Sequence, residues 1–341
     1  MTSSSTAVSL QKSNPGSHLL EVDDLSVEFR TDYGTVRAVN SLSYHLDKGE
    51  TLAILGESGS GKSVSAQAIM GIIDTPPGYI TQGAIRYRGQ DMLTMSADEQ
   101  RKLRGNDIAI VFQDALSALN PVFTVGAQIA EMFRVHRGMS KKDGMARAAE
   151  LMDRVRIPNA KARVKDYPHQ FSGGMRQRVM MAMALALDPA VLIADEPTTA
   201  LDVTVQAQIM DLLMDLQKET GMGVVLITHD LGVVGEVADR IAVMYAGRII
   251  ETGTVYEVFG DPAHPYTVGL MNSVPRVDQR GQRLEPITGS PPNLANIPSG
   301  CPFHPRCPRA EHVCTAERPP LRVVADSRRS ACHFAEDVLR A

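Results

Sequence analysis

The amino-acid sequence predicts an α/β fold in which a parallel β-sheet is buried between layers of helices. Two continuous apolar runs, 190–194 (AVLIA) and 223–228 (GVVLIT), are separated by a helix-like stretch, 203–219. A third apolar run, 51–55 (TLAIL), is followed by a helical pattern that begins at Lys62. Because apolar runs that alternate with helices are typical of parallel strands covered on both faces, these segments predict the central sheet.

The composition is that of an ordinary globular protein. The chain has 341 residues, of which 43% are hydrophobic and 22% charged, and its net charge is −4. This length allows two domains or one large domain with an appendage. The charge gives no electrostatic reason to expect nucleic acid as the main partner. The longest apolar stretch, 179–187, is too short to cross a membrane and predicts a buried helix.

The first 18 residues are polar and rich in serine and threonine. They lack the positively charged start and the apolar core of a secretory signal. We therefore expect residues 1–18 to be a disordered tail and the protein to stay in the cytoplasm, where thiols are kept reduced.

The rest of the chain divides by pattern into three parts. Short strand-like runs between turn residues predict an N-terminal β-subdomain within 19–88. Apolar residues at three- and four-residue spacing predict an inserted helical subdomain over about 115–188. After about Leu270 the chain is rich in Pro, Gly and Asn without a period, which predicts an extended arm. The predicted division is a tail at 1–18, a main domain at 19–270 and a C-terminal extension at 271–341.

A glycine-rich loop follows the strand at 51–55 and matches the pattern G-x-x-x-x-G-K-[S/T]. Glycines in such a loop let backbone N–H groups surround phosphates at a helix N-terminus. The lysine reaches the β- and γ-phosphates, and the following hydroxyl binds Mg²⁺. The predicted phosphate-binding residues are Gly56, Glu57, Ser58, Gly59, Ser60, Gly61, Lys62 and Ser63, and Ser63 is also a predicted Mg²⁺ ligand.

A pair of carboxylates ends the apolar strand at 190–194. Asp195 at the end of a strand next to a P-loop is expected to hold Mg²⁺, directly or through water. Glu196 beside it is expected to polarise the water that attacks the γ-phosphate. The simpler alternative is an acidic pair that caps the next helix.

A second anion-binding pattern precedes the helix at 179–187. Ser172, Gly173 and Gly174 combine a hydroxyl donor with bare N–H groups at a helix start. One chain with two phosphate-binding loops more than a hundred residues apart allows two arrangements: both loops serve one nucleotide, or each serves a different one.

Together these segments resemble the ATPase subunit of an ABC transporter. The resemblance implies that 56–63 is the Walker A motif, that Asp195 and Glu196 end Walker B, and that 172–174 is the signature loop. In this family the signature loop of one subunit covers the ATP held by the P-loop of its partner.

The resemblance also assigns roles to single residues. Gln113 matches the Q-loop that senses Mg²⁺ and contacts the membrane subunits, and Asp202 matches the D-loop. His229 matches the switch histidine that contacts the γ-phosphate. Tyr33, or in second place Phe29, matches the aromatic residue that stacks on adenine. The implied catalytic residues are therefore Glu196, His229 and Gln113.

The sequence departs from the family pattern at three positions. Phe171 and Met175 stand where the signature motif usually has leucine and glutamine, and Thr199 stands where serine is commoner in the D-loop. The Ser-Gly-Gly core remains, so the signature loop is expected to work.

The class of ABC ATPase follows from what the chain contains. It has no long heptad insertion of the kind found in DNA-repair and chromosome ATPases, and a single copy of the motifs rather than the two of translation-factor relatives. This indicates a transporter subunit that pairs with a second ATPase.

The segments 261–271 and 288–307 resemble the tails of oligopeptide and dipeptide importer ATPases, and nickel importers share part of the pattern. That resemblance implies a partner ATPase, two membrane subunits and an extracytoplasmic binding protein.

All four cysteines lie near the C-terminus with the spacing C-x5-C-x6-C-x17-C. A cytoplasmic location argues against disulfides, and clustering argues against unrelated buried thiols, which favours a metal site. The wide gaps favour a [4Fe–4S] cluster over zinc, although His304, His312 and His333 keep a Cys/His zinc site open. The resemblance to peptide importers also points to the cluster, because some members carry it. The predicted ligands are Cys301, Cys307, Cys314 and Cys332.

The sequence therefore predicts an ATPase at the cytoplasmic face of the membrane that drives uptake of oligopeptides or dipeptides, with ATP, Mg²⁺ and a [4Fe–4S] cluster. The alternatives are an importer ATPase for nickel or another solute, and a redox-sensing regulatory ATPase of the same family.

Overall fold

The computed structural model describes residues 18–199, 201–273, 286–325 and 327–340. Nearly all of the predicted disordered tail, residues 1–17, lies outside these ranges, as do Ala200 of the D-loop and 274–285 of the predicted extended arm. None of the described helices is long and apolar enough to cross a membrane.

Twelve strands lie in the described ranges. They are β1 (Leu20–Thr31), β2 (Gly34–Leu46), β3 (Thr51–Leu55), β4 (Gly78–Tyr87), β5 (Gln90–Asp91), β6 (Ile108–Val111), β7 (Val191–Asp195), β8 (Gly223–Thr228), β9 (Arg240–Tyr245), β10 (Arg248–Thr254), β11 (Arg322–Ala325) and β12 (Arg328–Ser330).

Thirteen α-helices lie in the same ranges. They are α1 (Lys62–Met70), α2 (Ala97–Leu103), α3 (Ala115–Ala118), α4 (Val125–Arg137), α5 (Lys141–Arg154), α6 (Ala160–Arg163), α7 (Gly173–Ala184), α8 (Val203–Thr220), α9 (Leu231–Val237), α10 (Val255–Gly260), α11 (Pro265–Asn272), α12 (His312–Ala316) and α13 (Ala335–Leu339). Short 3₁₀ turns cover Met92–Thr94, Pro168–Gln170 and His304–Arg306.

The strands form two sheets. The N-terminal sheet is antiparallel in the order β2-β1-β4-β5, and the main sheet has the order β11-β12-β10-β9-β3-β8-β7-β6. Five neighbouring strands of the main sheet, from β9 to β6, are parallel, whereas β10, β12 and β11 add antiparallel pairs at one side. The predicted α/β fold with an N-terminal β-subdomain is therefore confirmed.

Both faces of the parallel strands are buried, as the continuous apolar runs predict. In β8, Val225 and Ile227 pack in the core shared with the N-terminal sheet and α1, whereas Val224 and Leu226 pack in the core of the helical subdomain. Because successive side chains of a strand point to opposite faces, a strand between two cores must be apolar at every position.

The helical subdomain is built from capped amphipathic helices. Thr124 accepts a hydrogen bond from the backbone of α4, and Ser140 does the same for α5. Gly138 ends α4 in the left-handed region, with a φ of 64° that favours glycine. The apolar sides of α4, α5 and α7 share one core, so the subdomain is packed as one unit.

The boundary of one helix differs from the sequence prediction. The helix expected to reach Leu187 ends at Ala184, where Leu185 leaves helical geometry.

The C-terminal extension continues the main sheet. The short polar strand β12 pairs with β10 through Glu251 and Thr252, and Ser330 is fully buried there. The sequence predicts an extended arm leading to the cysteines, but it does not predict this strand pairing. The polar residues of β12 lack the alternation that identifies a strand from sequence.

Candidate nucleotide site and cysteine site

The P-loop spans the gap between β3 and α1, and two of its glycines are required by the space around them. A Cβ atom on Gly56 would lie 2.3 Å from the carbonyl oxygen of Met244. Gly61 has a φ of +103°, and a Cβ atom there would lie 2.1 Å from the carbonyl oxygen of Ala38. The loop therefore packs backbone against backbone and ends at the N-terminus of α1, where free N–H groups attract anions.

Lys62 is buried at the start of α1. Its ammonium group donates hydrogen bonds to the carbonyl oxygens of Gly56 and Glu57 at 2.8 and 3.0 Å. Burial lowers the pKa of Lys62, and the nearby carboxylates of Glu196 and Asp195 oppose this shift. The lysine thus lies inside the loop, next to the space that a phosphate group needs.

Ser63 and Asp195 lie together although 132 residues separate them. The Ser63 hydroxyl donates to Oδ1 of Asp195 at 3.0 Å. Burial raises the pKa of Asp195, the hydrogen bond from Ser63 opposes the shift, and the charge of Glu196 adds to it. A hydroxyl and a carboxylate in contact match the oxygen donors that Mg²⁺ prefers, and a cation there would stabilise the ionised carboxylate.

Glu196 is held by three side chains. Its Oε2 accepts hydrogen bonds from Gln113 at 3.0 Å and from Thr199 at 2.8 Å, and its Oε1 lies 3.3 Å from Nδ1 of His229. The backbone of Glu196 has a φ of +47°, which is rare for a non-glycine residue and is typical of functional sites.

These residues meet because parallel strands end at one edge of the sheet. Gln113 follows β6, Glu196 follows β7 and His229 follows β8. The P-loop follows β3, which is the neighbour of β8 in the sheet. The side chain of Glu196 is 14% exposed and that of His229 is 62% exposed. The carboxylate is therefore largely buried, whereas the imidazole lies at the surface of the site. The arrangement can bind a triphosphate and present a base to water beside it.

The other predicted nucleotide contacts lie apart from this cluster of hydrogen bonds. Ser172 caps α7 and accepts from the backbone of Met175, and Asp202 caps α8 and accepts from Val205 at 3.0 Å. Both side chains are exposed. Gly174 is needed for the contact of α7 with α8, since a Cβ atom there would lie 2.5 Å from Cγ1 of Val205.

The two aromatic candidates for adenine stacking differ in exposure. Tyr33 is 100% exposed in the turn between β1 and β2. Phe29 is partly buried and packs against the core next to Gly78. Tyr33 is therefore the ring with both faces free.

The four cysteines line one cavity, which encloses about 360 Å³ together with its open mouth. All four are free thiols; Cys314 and Cys332 are buried, and Cys301 and Cys307 are half-buried. The backbone N–H of Cys301 donates to the carbonyl oxygen of Cys314 at 2.8 Å, which joins two of the cysteine segments. The other lining residues are His264, Pro265, Phe303, His304, Arg309, Pro319, His333, Phe334 and Val338.

The cavity is an apolar environment for thiols. Burial raises the pKa of Cys301 and of Cys307, and it raises the pKa of Cys332 to about 11. Within the described residues, no three of these sulfur atoms and neighbouring imidazole nitrogens lie within 4.8 Å of one another. Thiolates bound to one tetrahedral zinc lie closer, at roughly 4 Å from one another.

A second group of possible metal ligands lies near the N-terminal sheet. Ligand atoms of His18, His45 and Asp47 come within 4.8 Å of one another. The guanidinium of Arg240 lies 2.5 Å from Nε2 of His45, and burial with this charge lowers the pKa of His45 to about 4. A bound cation would be repelled by Arg240, so we assign no metal to this group.

Sequence reasoning missed three contacts with the P-loop or Glu196. Tyr266 accepts a hydrogen bond from the backbone N–H of Glu57 at 3.0 Å, and Arg306 forms an ion pair with the Glu57 side chain. Thr199 departs from the usual D-loop pattern, yet its hydroxyl holds Glu196. The position of an arginine between two cysteines was the one signal in the sequence for Arg306.

Taken together, the fold and the converging residues define a P-loop ATPase. The chain belongs to the ABC transporter family: the family model "ABC transporter" matches residues 39–199, and the model "Oligopeptide/dipeptide transporter, C-terminal region" matches residues 250–314.

Curated relatives are similar over most of their length. The oligopeptide transport ATP-binding protein OppD of Bacillus subtilis is 53% identical over 310 residues, which are 91% of this chain and 87% of the relative. OppD of Salmonella typhimurium is 50% identical over 94% of this chain and 95% of the relative. The dipeptide transport ATP-binding protein DppD of Escherichia coli is 49% identical over 94% of this chain and 97% of the relative.

Solved structures of ABC cassettes are similar over about two thirds of the chain. The cassette MJ0796, in a dimeric post-hydrolysis state with ADP and Pi, has a TM-score of 0.62 at 28% identity and covers 69% of this chain and 98% of its own. The cbiO1 protein of Clostridium perfringens, part of the transporter complex cbiONQ, has a TM-score of 0.60 at 30% identity and covers 71% of this chain and 91% of its own.

Proposed function

We propose that this chain is the ATP-hydrolysing subunit of an importer that takes up oligopeptides or dipeptides across the cell membrane. The observation that carries the proposal is the joining of a convergent ATPase site to a C-terminal region, 250–314, of the oligopeptide/dipeptide transporter type. Relatives named for oligopeptide and dipeptide transport are about half identical over more than nine tenths of the chain.

The P-loop residues bind the phosphates of ATP. Lys62, which the loop carbonyls of Gly56 and Glu57 hold, turns its ammonium group to the β- and γ-phosphates. Ser63 and Asp195 would hold Mg²⁺, which supplies positive charge to the phosphates when it is bound. Tyr33 stacks on the adenine ring with its exposed face.

Hydrolysis uses the carboxylate of Glu196 as the base for the attacking water. Gln113 and Thr199 orient the carboxylate through its Oε2, which leaves Oε1 on the side of His229. The exposed imidazole of His229 contacts the γ-phosphate. The base and its supporting hydrogen bonds come from three different strand ends, so a shift of the Gln113 segment changes the position of Glu196.

Each complete site needs a second ATPase subunit. The exposed side chain of Ser172 and the N-terminus of α7 at Gly173 and Gly174 present anion-binding groups away from the hydrogen-bonded cluster of Glu196. They cover the ATP of the partner subunit, and Asp202 lies at the same junction. A solved cassette dimer with ADP and Pi is similar to this chain in fold. We expect the partner to be a different chain, so that the pair is a heterodimer.

The remaining partners are two membrane subunits and an extracytoplasmic binding protein. Exposed apolar side chains lie next to and after Gln113, and they fit a docking surface for the membrane subunits: Phe112, Leu116, Val122 and Phe123. This places the chain at the cytoplasmic face of the membrane in the proposed assembly, with no role for nucleic acid.

Cells that lack this chain are expected to lose uptake of labelled oligopeptides or dipeptides and to keep uptake of nickel. The wild-type chain restores peptide uptake, whereas Lys62→Ala lowers it about 100-fold because the phosphates lose a buried cation. The measurements are uptake and copurification with membrane proteins. Loss of nickel uptake alone would favour the nickel importer, and isolation with nucleic acid but no membrane protein would contradict transport.

We propose that Cys301, Cys307, Cys314 and Cys332 hold a [4Fe–4S] cluster, with zinc as the alternative. The four thiols share one cavity, and burial raises the pKa of Cys301, Cys307 and Cys332, so that a bound cation would be needed to stabilise their thiolates. The cluster supplies four metal–thiolate bonds that tie three segments of the extension together, which is a structural role. Copurification with membrane proteins, the test described above, distinguishes the proposed transporter subunit from the alternative, a redox-sensing ATPase without transport.

Anaerobic purification is expected to yield about four iron and four acid-labile sulfide per chain, because four thiolates match a cubane cluster. Cys301→Ser loses most of the iron. His304→Gln and His333→Gln are matched controls in the same cavity and keep the iron, since the cluster takes cysteine ligands alone. If the wild type instead contains one zinc and no sulfide, and a histidine variant loses the zinc, the site is a Cys/His zinc site and the cluster assignment is wrong.

A further inference from the structure

The cysteine segment contacts the phosphate-binding loop directly. The guanidinium of Arg306 donates to both carboxylate oxygens of Glu57, at 2.6 and 3.0 Å. The Arg306 side chain is 6% exposed and that of Glu57 is 26% exposed. Glu57 is the second residue of the P-loop, and 249 residues separate it from Arg306. A bidentate, largely buried pair of this kind fixes the distance and the orientation of the two segments.

Further contacts fix the position of Arg306. Its Nε donates to the carbonyl oxygen of Thr288 at 3.0 Å, and a terminal nitrogen lies 3.3 Å from the hydroxyl of Tyr245. The guanidinium lies 5.9 Å from the ring centres of Tyr245 and Phe303. An arginine guanidinium stays protonated in proteins, so the charge on Arg306 is permanent.

Arg306 belongs to the turn between two cysteines. The backbone N–H of His304 donates to Cys301, that of Arg306 donates to Phe303, and that of Cys307 donates back to His304. The 3₁₀ turn His304–Arg306 is therefore held at both ends by residues that line the cysteine cavity. The positions of Cys301 and Cys307 in the cavity therefore determine the orientation of the Arg306 guanidinium.

Glu57 brings a negative charge to a loop that must bind negative phosphates. Its backbone N–H donates to Tyr266 at 3.0 Å, and its carbonyl oxygen accepts from Lys62 at 3.0 Å. Without a counter-charge the carboxylate repels the phosphates and competes for the ammonium of Lys62. Arg306 supplies that counter-charge from the C-terminal segment.

We propose that Arg306 is a positioning residue that couples the cysteine site to ATP binding: it neutralises Glu57 and holds the P-loop, and the cysteine site holds Arg306. The coupling deepens the proposed ATPase function, and its dependence on a bound metal rests on the cluster assignment.

Arg306→Gln is expected to raise KM and Kd for ATP roughly tenfold, because the variant loses one coupled, largely buried ion pair. The kcat is expected to stay within about twofold of the wild-type value. The iron content stays at the wild-type value. Glu57→Gln combined with Arg306→Gln restores Kd to within about threefold of wild type, because the uncompensated charge is gone.

The matched control is Arg322→Gln, which removes another bidentate arginine–glutamate pair of the C-terminal segment, with Glu336, away from the P-loop. Its Kd for ATP is expected to stay at the wild-type value. An unchanged Kd in Arg306→Gln, an equal loss in Arg322→Gln, or no recovery in the double variant would overturn the proposal.

Cys307→Ser tests the link to the cysteine site. In the full chain it is expected to raise Kd for ATP several-fold, and to cause no further change when Glu57→Gln and Arg306→Gln are also present, because the connection is already cut. Equal effects in both backgrounds would show that the cysteine site acts elsewhere. If the wild type holds no iron and sulfide, the cluster assignment fails, while the comparison of Arg306→Gln with Arg322→Gln still decides the positioning role.

Discussion

Replacing Glu196 with glutamine is expected to lower kcat for ATP hydrolysis in the assembled transporter at least about 100-fold, the usual contribution of a positioned general base. Glutamine keeps the shape of the side chain. Its amide oxygen can accept from Gln113 and Thr199, and its NH₂ group can face Nδ1 of His229, so the hydrogen bonds around position 196 are retained. The variant loses the group that takes a proton from water.

ATP binding separates this catalytic effect from a loss of structure. The Kd for ATP in Glu196→Gln is expected to stay within about threefold of wild type, since Lys62 and Ser63 are unchanged. Glu131→Gln is the control, because Glu131 is an exposed carboxylate on α4, outside the site. Steady-state ATPase activity in Glu196→Gln equal to that of the control would remove Glu196 from its role as the base.

The elements that could be predicted from sequence are those encoded by short contiguous patterns. The P-loop directly follows an apolar strand, Asp195 is the last residue of another, and Glu196 comes directly after it. Gln113 and His229 also follow strands. Because parallel strands that are covered by helices end at one edge of the sheet, a residue just after each strand must lie near the others. The hydrogen bonds of Glu196 with Gln113 and Thr199 are the physical result.

The parts that could not be predicted depend on contacts between distant segments without a local period. Tyr266 and Arg306 lie 209 and 249 residues from Glu57, and apart from the position of Arg306 between two cysteines the sequence carries no signal for these contacts. The strand β12 contains two arginines and a serine, yet Arg328 and Ser330 are buried. A terminal nitrogen of Arg328 donates to the backbone carbonyl oxygen of Glu257, and the hydroxyl of Ser330 donates to that of Ala263. A binary apolar pattern does not reveal such contacts.

The C-terminal extension contacts the ATPase core through aromatic packing as well as through the pair of Arg306 with Glu57. Phe303 contacts Tyr245 and Tyr266 with ring centres 5.4 Å apart in both cases, and Tyr266 holds the backbone of the P-loop. This aromatic cluster connects β9, α11 and the cysteine turn in one core. A subunit without the extension would leave these rings exposed, so we expect the extension and the ATPase core to fold together.

Gly61→Ala is expected to weaken ATP binding more than about 100-fold, because strain at a left-handed position and a clash with fixed backbone together cost more than about 3 kcal/mol. The new Cβ atom would lie 2.1 Å from the carbonyl oxygen of Ala38 and 3.0 Å from a methyl carbon of Met244. Neither β2 nor β9 can move away, since both are paired strands. The P-loop must shift, and its N–H groups leave the positions that surround the phosphates.

Gly138→Ala is the control that introduces backbone strain at a left-handed position without a steric clash. Gly138 ends α4 with a φ of +64°, and a Cβ atom added there would meet no atom of the described residues within 4 Å apart from those of its chain neighbours. Alanine at this position therefore costs about 1 kcal/mol of stability and leaves ATP binding unchanged. Titration of each variant with a fluorescent ATP analogue gives Kd, and thermal unfolding gives the change in Tm. Wild-type affinity in Gly61→Ala would mean that the loop binds phosphate without the close approach of its backbone to β2, and the role given to the glycine pattern would be wrong.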